Sequence, residues 1–179
     1  MKIKYHYDSP LGGITLASDG KALTGLWFDG QKYFGSSLDN EENLSDHCQN
    51  AGSIIGQTVQ WLDIYFSGKE PEFTPPLNIE PGKNKAATEF RKKVWEILLM
   101  IPYGRTITYK EIAGKIAESE GRAARARSLT RAVGGAVGHN PISLIIPCHR
   151  VLGSDGSLTG YAAGKDKKEQ LLRMEGIVF

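Results

Sequence analysis

The 179-residue chain has little cysteine, no long apolar run and almost no net charge. Its two cysteines, Cys48 and Cys148, can form at most one disulfide, and neither has the paired spacing of a zinc knuckle. A disulfide-stapled scaffold is thereby excluded, and a reduced, cytoplasmic protein is expected. The apolar runs are only a few residues long, against the roughly 20 needed to cross a bilayer. Met1-Lys2-Ile3-Lys4-Tyr5-His6 lacks the apolar stretch of a secretory leader, so no membrane role is expected. What is present, 40% hydrophobic and 23% charged residues, is a globular composition. The length suits one ordinary domain or two small ones.

The net charge of +2 hides an asymmetry. Residues 1–87 carry seven Lys and Arg against eleven Asp and Glu, whereas residues 88–179 carry fifteen against nine. An acidic half joined to a basic half suggests that the second half meets a polyanion. Uneven decoration of a solvated surface would give the same split.

The first half reads as β-rich at its start. Ile3–Tyr7, Ile14–Ala17 and Ala22–Phe28 are short strands separated by Asp/Gly/Pro turns, the pattern of an antiparallel meander. Ile55, Val59, Leu62 and Phe66 then recur at helical spacing and predict a helix covering that sheet, stopped by Gly68. Pro71, Pro75, Pro76 and Pro81 break up the next stretch, so a domain boundary is expected there, with residues 1–82 and 83–179 on either side.

In the second half, Thr88 can cap a helix with Phe90, Val94, Ile97, Leu98 and Ile101 on its apolar face. Thr108-Tyr109-Lys110-Glu111 is a capping box for a second helix with Ile112, Ala113, Ile116 and Ala117 inward. A polar, Arg-rich insert runs from Glu118 to Arg127, and a third helix is expected from near Ser128. Leu129, Val133 and Val137 make its inner face, and Arg131, Gly134, Gly135 and Gly138 its opposite face. Each helical Gly costs about 1 kcal/mol relative to Ala, so such a face wants something to come close. DNA presented to a helix–turn–helix would do so, and so would tight helix packing inside the protein.

Leu144-Ile145-Ile146 reads as a short buried strand ended by Pro147. Cys148 follows, beside His149 and Arg150. The thiolate is the reactive form of cysteine, and nearby positive charge favours it. Successive strand side chains point to opposite faces, so Cys148 and His149 can cooperate only through a helical turn or a bridging water. A lone Cys-His pair is equally compatible with a structural role.

Pro147-Cys148-His149-Arg150-Val151 is the signature pentapeptide of the O6-alkylguanine-DNA alkyltransferases, and the chain resembles that family from about Thr88 to Gly176. Ile101-Pro102-Tyr103-Gly104-Arg105-Thr106 and Thr108-Tyr109 are similar to the start of its winged helix–turn–helix. Arg131-Ala132-Val133-Gly134-Gly135-Ala136 is similar to its recognition helix, Asn140-Pro141 to its Asn hinge, Gly160-Tyr161 to its closing loop and Leu171–Gly176 to its final helix. The first half matches loosely and is compatible with the family's ribonuclease-H-like domain.

The resemblance implies an α+β protein: a small ribonuclease-H-like α/β domain followed by a winged helix–turn–helix domain. It implies direct reversal of O6-methylguanine, and of O4-methylthymine, by irreversible transfer of the alkyl group to Cys148. By that resemblance His149 takes the thiol proton through a water, Glu175 orients His149, Asn140 braces the site and Tyr109 protonates the leaving guanine. Arg131 fills the stack left by a flipped base, and Ala132, Gly134 and Gly135 face the DNA. Val151, through its backbone, and Tyr161 line the base pocket. The expected partner is double-stranded DNA containing alkylated guanine, bound by a monomer. No cofactor and no metal is expected, since the first half offers only His6, His47 and Cys48. A lesion binder without chemistry is the main alternative, and Cys148 argues against it. The insert is longer than the family's usual turn and adds Arg122, Arg125 and Arg127, which are expected to reach phosphates.

Overall fold

Strands β1 (Ile3–Ser9), β2 (Gly12–Ser18) and β3 (Leu23–Phe28) form an antiparallel sheet in the order β1-β2-β3. The structure is a computed structural model that describes residues 3–38, 50 and 52–178. Tyr5 pairs with Leu16, and Ile14 with Phe28, so the apolar positions of neighbouring strands stack on shared faces. Helix α1 (Ile54–Phe66) covers the sheet. Its N-cap Ser53 accepts a hydrogen bond from the Gly56 N–H, and Gly68 ends it at φ +81°. The buried stripe of α1 is Ile55, Thr58, Trp61, Leu62 and Tyr65. Val59 and Phe66, expected inside, are only partly buried, because the stripe is phased on Trp61 and Tyr65.

The open edge of β3 is occupied twice. The Leu23 N–H donates to the Pro76 carbonyl and the Asn78 N–H to the Leu23 carbonyl, which straps the Pro-rich segment along the sheet. Further along, the Leu26 N–H donates to the Pro141 carbonyl and the Ser143 N–H to the Leu26 carbonyl. The chain that leads into Cys148 is therefore hydrogen-bonded to the N-terminal sheet.

Helices α2 (Glu89–Leu99), α3 (Tyr109–Ser119), α4 (Ala126–Gly138) and α5 (Lys165–Met174), with a two-residue parallel ladder of β4 (Ile107–Thr108) and β5 (Val151–Leu152), make the second half. Thr88 caps α2, and both arms of the capping box at Thr108 and Glu111 are formed. Trp95 ties α2 to α4 by donating to the Ala136 carbonyl at 2.9 Å. Ile112, Ala113, Ile116 and Ala117 are buried, as are Val133 and Val137.

Two expectations need correction. Leu144–Ile146 is buried but is not a strand: it is a run of turns, with Leu144 at φ +68°. Asn140 accepts the Ile142 N–H and donates to the Ile146 carbonyl, so a side chain rather than a neighbouring strand satisfies this backbone. The helix expected from Ser128 starts at Ala126, because a single 3-10 turn at Ala123–Arg125 runs straight into it. Much of the insert is thus helical, and Arg122, Arg125 and Arg127 are exposed on it.

Candidate active site

Asn140 stands just beyond α4, and its amide nitrogen lies 3.1 Å from Cys148 Sγ and 2.7 Å from the Ile146 carbonyl. One side chain thus fixes the approach to the thiol and touches it. Cys148–Arg150 is a single 3-10 turn, which replaces strand alternation and lets consecutive side chains serve different partners. Cys148 is 4% exposed and His149 fully buried.

His149 Nε2 lies 2.7 Å from Glu175 Oε1. Glu175, at the end of α5, accepts four more hydrogen bonds among the described residues. Arg150 donates to both oxygens, at 2.8 and 3.1 Å, and the Gly104 N–H donates to Oε2 at 3.1 Å. The Tyr65 hydroxyl of α1 donates to Oε1 at 2.8 Å. Gly104 is required there: it sits at φ +70°, and a Cβ would stand 3.0 Å from the Glu175 carbonyl oxygen. Burial would raise the Glu175 pKa. The hydrogen bonds and charges of His149 and Arg150 outweigh it and hold the carboxyl at about 2.

Burial pushes the His149 pKa below its ordinary value, against the pull of Glu175. A neutral imidazole donating through Nε2 to a carboxylate leaves Nδ1 as an acceptor. That atom is buried and has no hydrogen-bond partner among the described residues. Burial raises the Cys148 pKa, against donation from Asn140, so the thiol is protonated at rest.

Cys148 opens into a cavity of about 290 Å³, lined also by Lys32, Tyr33, Tyr109, Gly134, Gly138 and Tyr161. This is the small end of the range for ligand pockets, about 300 Å³ upward. Burial raises the Tyr109 pKa, so its hydroxyl keeps its proton. Tyr109 and Gly134 also border a larger groove with Lys110, Arg127, Thr130 and Gly153, on the α4 side. Arg131, Ala132 and Gly135 are exposed on α4. Among the described residues, a Cβ added at Gly134, Gly135 or Gly138 would meet nothing within 4 Å, so the glycine face packs tightly against none of them.

Of the residues singled out in the sequence, Cys148, Tyr109, Tyr161 and Gly134 meet at the cavity, Asn140 touches the Cys148 sulfur, and His149 and Glu175 meet beneath it. Val151 is fully buried and is not among the cavity-lining residues; its carbonyl accepts from the Lys168 ammonium. His47 and Cys48 lie outside the described residues. Three contributors escaped the sequence reading. Lys168 is fully buried, and its pKa is lowered to about 8 by burial. It shares the inner stripe of α5 with Leu171 and Leu172, and that spacing was its only signal. Tyr33 reaches the cavity from the N-terminal half, stacked on His139 at 3.8 Å between ring centroids. Tyr65 reaches Glu175 from α1.

Residues 89–177 match the DNA binding domain of 6-O-methylguanine DNA methyltransferase, and residues 3–79 match its ribonuclease-like domain. The chain belongs to this family. A methylated-DNA–protein-cysteine methyltransferase of Methanosarcina barkeri is 43% identical over 94% of this chain and 93% of its own length. One of Mycobacterium bovis is 40% identical over 95% and 92%. The crystal structure of Mycobacterium tuberculosis OGT in complex with DNA superposes with a TM-score of 0.74 at 38% identity, over 96% of this chain and 91% of that one. The expected α+β architecture of the 6-O-methylguanine DNA methyltransferases, a ribonuclease-like domain before a DNA-binding domain, is therefore present. Among the described residues, no helix is long and apolar enough to cross a membrane.

Proposed function

We propose that this protein repairs alkylated DNA by moving the alkyl group of O6-methylguanine, and of O4-methylthymine, onto Cys148, once per molecule. The observation that carries this is the Cys148 thiol in a base-sized cavity, beside a buried His149–Glu175 pair whose imidazole keeps Nδ1 free. A paired base cannot reach that cavity, so the lesion must leave the duplex, at a cost of a few kcal/mol. The thiol proton passes through a water to His149 Nδ1, and Glu175 stabilises the imidazolium. Sulfur attacks the methyl carbon, the carbon–oxygen bond breaks, and its electron pair goes to guanine O6. Tyr109 protonates the guanine ring and recovers its proton through solvent. The products are guanine and S-methylcysteine. Regeneration would need a nucleophile to expel the Cys148 thiolate from the methyl carbon of an unactivated thioether, so the protein is not regenerated. Asn140 holds the sulfur in place, and Tyr161 walls the base; Val151 is assigned to the pocket through its backbone. We take residues 1–82 and 83–179 as the two domains, with the second carrying the chemistry. Intact mass after incubation with a duplex holding one O6-methylguanine tests the proposal: one methyl, about 14 Da, should appear on Cys148 and none on Cys48.

Arg131, Ala132, Gly134 and Gly135 are assigned to the DNA face of a helix–turn–helix pair, with Arg131 filling the emptied stack. Arg131→Ala should slow transfer from paired O6-methylguanine by about 1–3 kcal/mol, the scale of the unstacking it offsets. Transfer from free O6-benzylguanine, which needs no flipping, should be nearly unchanged. Equal losses on both substrates would make Arg131 a structural residue.

The exposed insert yields a separate expectation. If Arg122, Arg125 and Arg127 reach phosphates, replacing all three with Ala should make the slope of log K against log[salt] shallower, by about 0.9 for each phosphate no longer neutralised. An unchanged slope would make the insert a solvated connection.

A further inference from the structure

The hydrogen bond between Tyr65 and Glu175 joins residues 110 positions apart and joins the N-terminal sheet domain to the reactive pair. Tyr65 is 1% exposed, stacked on Trp61 at 5.2 Å and set edge-on to Tyr103 at 6.2 Å. Its ring is held on α1 whether or not Glu175 is present. Its hydroxyl oxygen is 2.8 Å from Glu175 Oε1 and 3.3 Å from His149 Nε2. The Glu175 oxygen that meets His149 is therefore the one that Tyr65 also meets.

We infer that Tyr65 is a positioning residue for transfer, through which the N-terminal domain sets how strongly Glu175 holds the His149 proton. This rests on the proposed function of the same site. A hydroxyl donated to a carboxylate stabilises its charge and weakens its hold on other protons. It also fixes which lone pairs of Oε1 remain for His149. The other groups around His149 are Arg150 on the same turn, Glu175 and Lys168 from α5 and its end, and Cys148 before it; Tyr103 lies against Arg150 and Tyr65. Tyr65→Phe removes only the hydroxyl, and the ring keeps its packing on Trp61 and Tyr103.

Single-turnover transfer from an O6-methylguanine duplex, followed from about pH 5 to about pH 9, tests this with the full chain. In Tyr65→Phe the carboxylate should hold the imidazolium proton more tightly. The acid limb of the rate profile should then move up by about half to one pH unit, and the plateau rate should fall about three- to tenfold. DNA affinity should stay within about twofold, since no DNA-facing group is altered. Trp61→Phe perturbs the same packing without touching the hydroxyl; it should lower Tm and leave the acid limb in place. An acid limb in Tyr65→Phe that coincides with the wild type, whatever its Tm, overturns the inference alone. Wild-type protein that gains no methyl on Cys148 overturns the proposed function on which it rests.

Discussion

Cys148→Ser should abolish alkyl transfer and leave DNA binding intact. The hydroxyl occupies the same place beside Asn140, so the fold and the cavity are kept. A serine hydroxyl is a far weaker nucleophile than a thiol once deprotonated, and His149 is too weak a base to deprotonate it. The expected loss is complete on the timescale of the assay. Intact mass should show no added methyl, and gel-shift affinity for an O6-methylguanine duplex should match the wild type. Transfer surviving in Cys148→Ser would move the acceptor elsewhere in the chain. The resting thiol carries a corollary. Burial raises its pKa, so transfer needs His149 to remove the proton, and alkylation by iodoacetamide should be slow near neutral pH.

The second large effect is at Glu175. Glu175→Gln should slow transfer by one to three orders of magnitude, about 1.4–4 kcal/mol of barrier, with DNA affinity largely kept. The cause is the lost charge opposite the imidazolium. The same change should cost stability, because the Arg150 guanidinium is buried against Glu175. Removing one partner of such a pair costs about 3–5 kcal/mol. The pH dependence of stability separates the two roles. In the folded protein the Glu175 carboxyl is held at about 2, below the ordinary value of 4.5. A depressed carboxyl stabilises the fold above its unfolded pKa, and that stabilisation is lost as pH falls through the folded one. Wild-type stability should therefore decline between about pH 4.5 and about pH 2 by up to roughly 3 kcal/mol from this group. Glu175→Gln should lack that component of the decline in chemical denaturation. Wild-type transfer rates in Glu175→Gln would reduce Glu175 to an anchor for Arg150.

Much of the fold was legible without coordinates, because it is set by contacts close in sequence. Strand alternation in Ile3–Tyr7 and the turns after it placed the meander. Thr88, Thr108 and Glu111 are caps whose partners lie three residues away, so each reads from a short window. The spacing of Ile112, Ala113, Ile116 and Ala117 was sufficient to bury them. The reactive segment was legible because five consecutive residues carry the family pattern, and Glu175 through the motif at the chain's end.

What only the tertiary structure decided has one physical cause: burial and hydrogen bonding do not depend on sequence separation. An apolar triplet at Leu144–Ile146 buries as well in turns as in a strand, and Asn140 chose the turns by satisfying their backbone. The inner stripe of α1 could be phased on Phe66 or Tyr65; only packing against Trp61 and Tyr103 placed Tyr65 inside. Lys168 is one of three lysines at the start of α5, and nothing local marks it as the one that the fold encloses. Glu175 unites Tyr65, Gly104 and the adjacent His149 and Arg150, which come from three widely separated stretches of the chain. The sequence alone thus determined which residue types are available for the chemistry. The fold determined that a tyrosine of the first domain shares an oxygen with the histidine of the second.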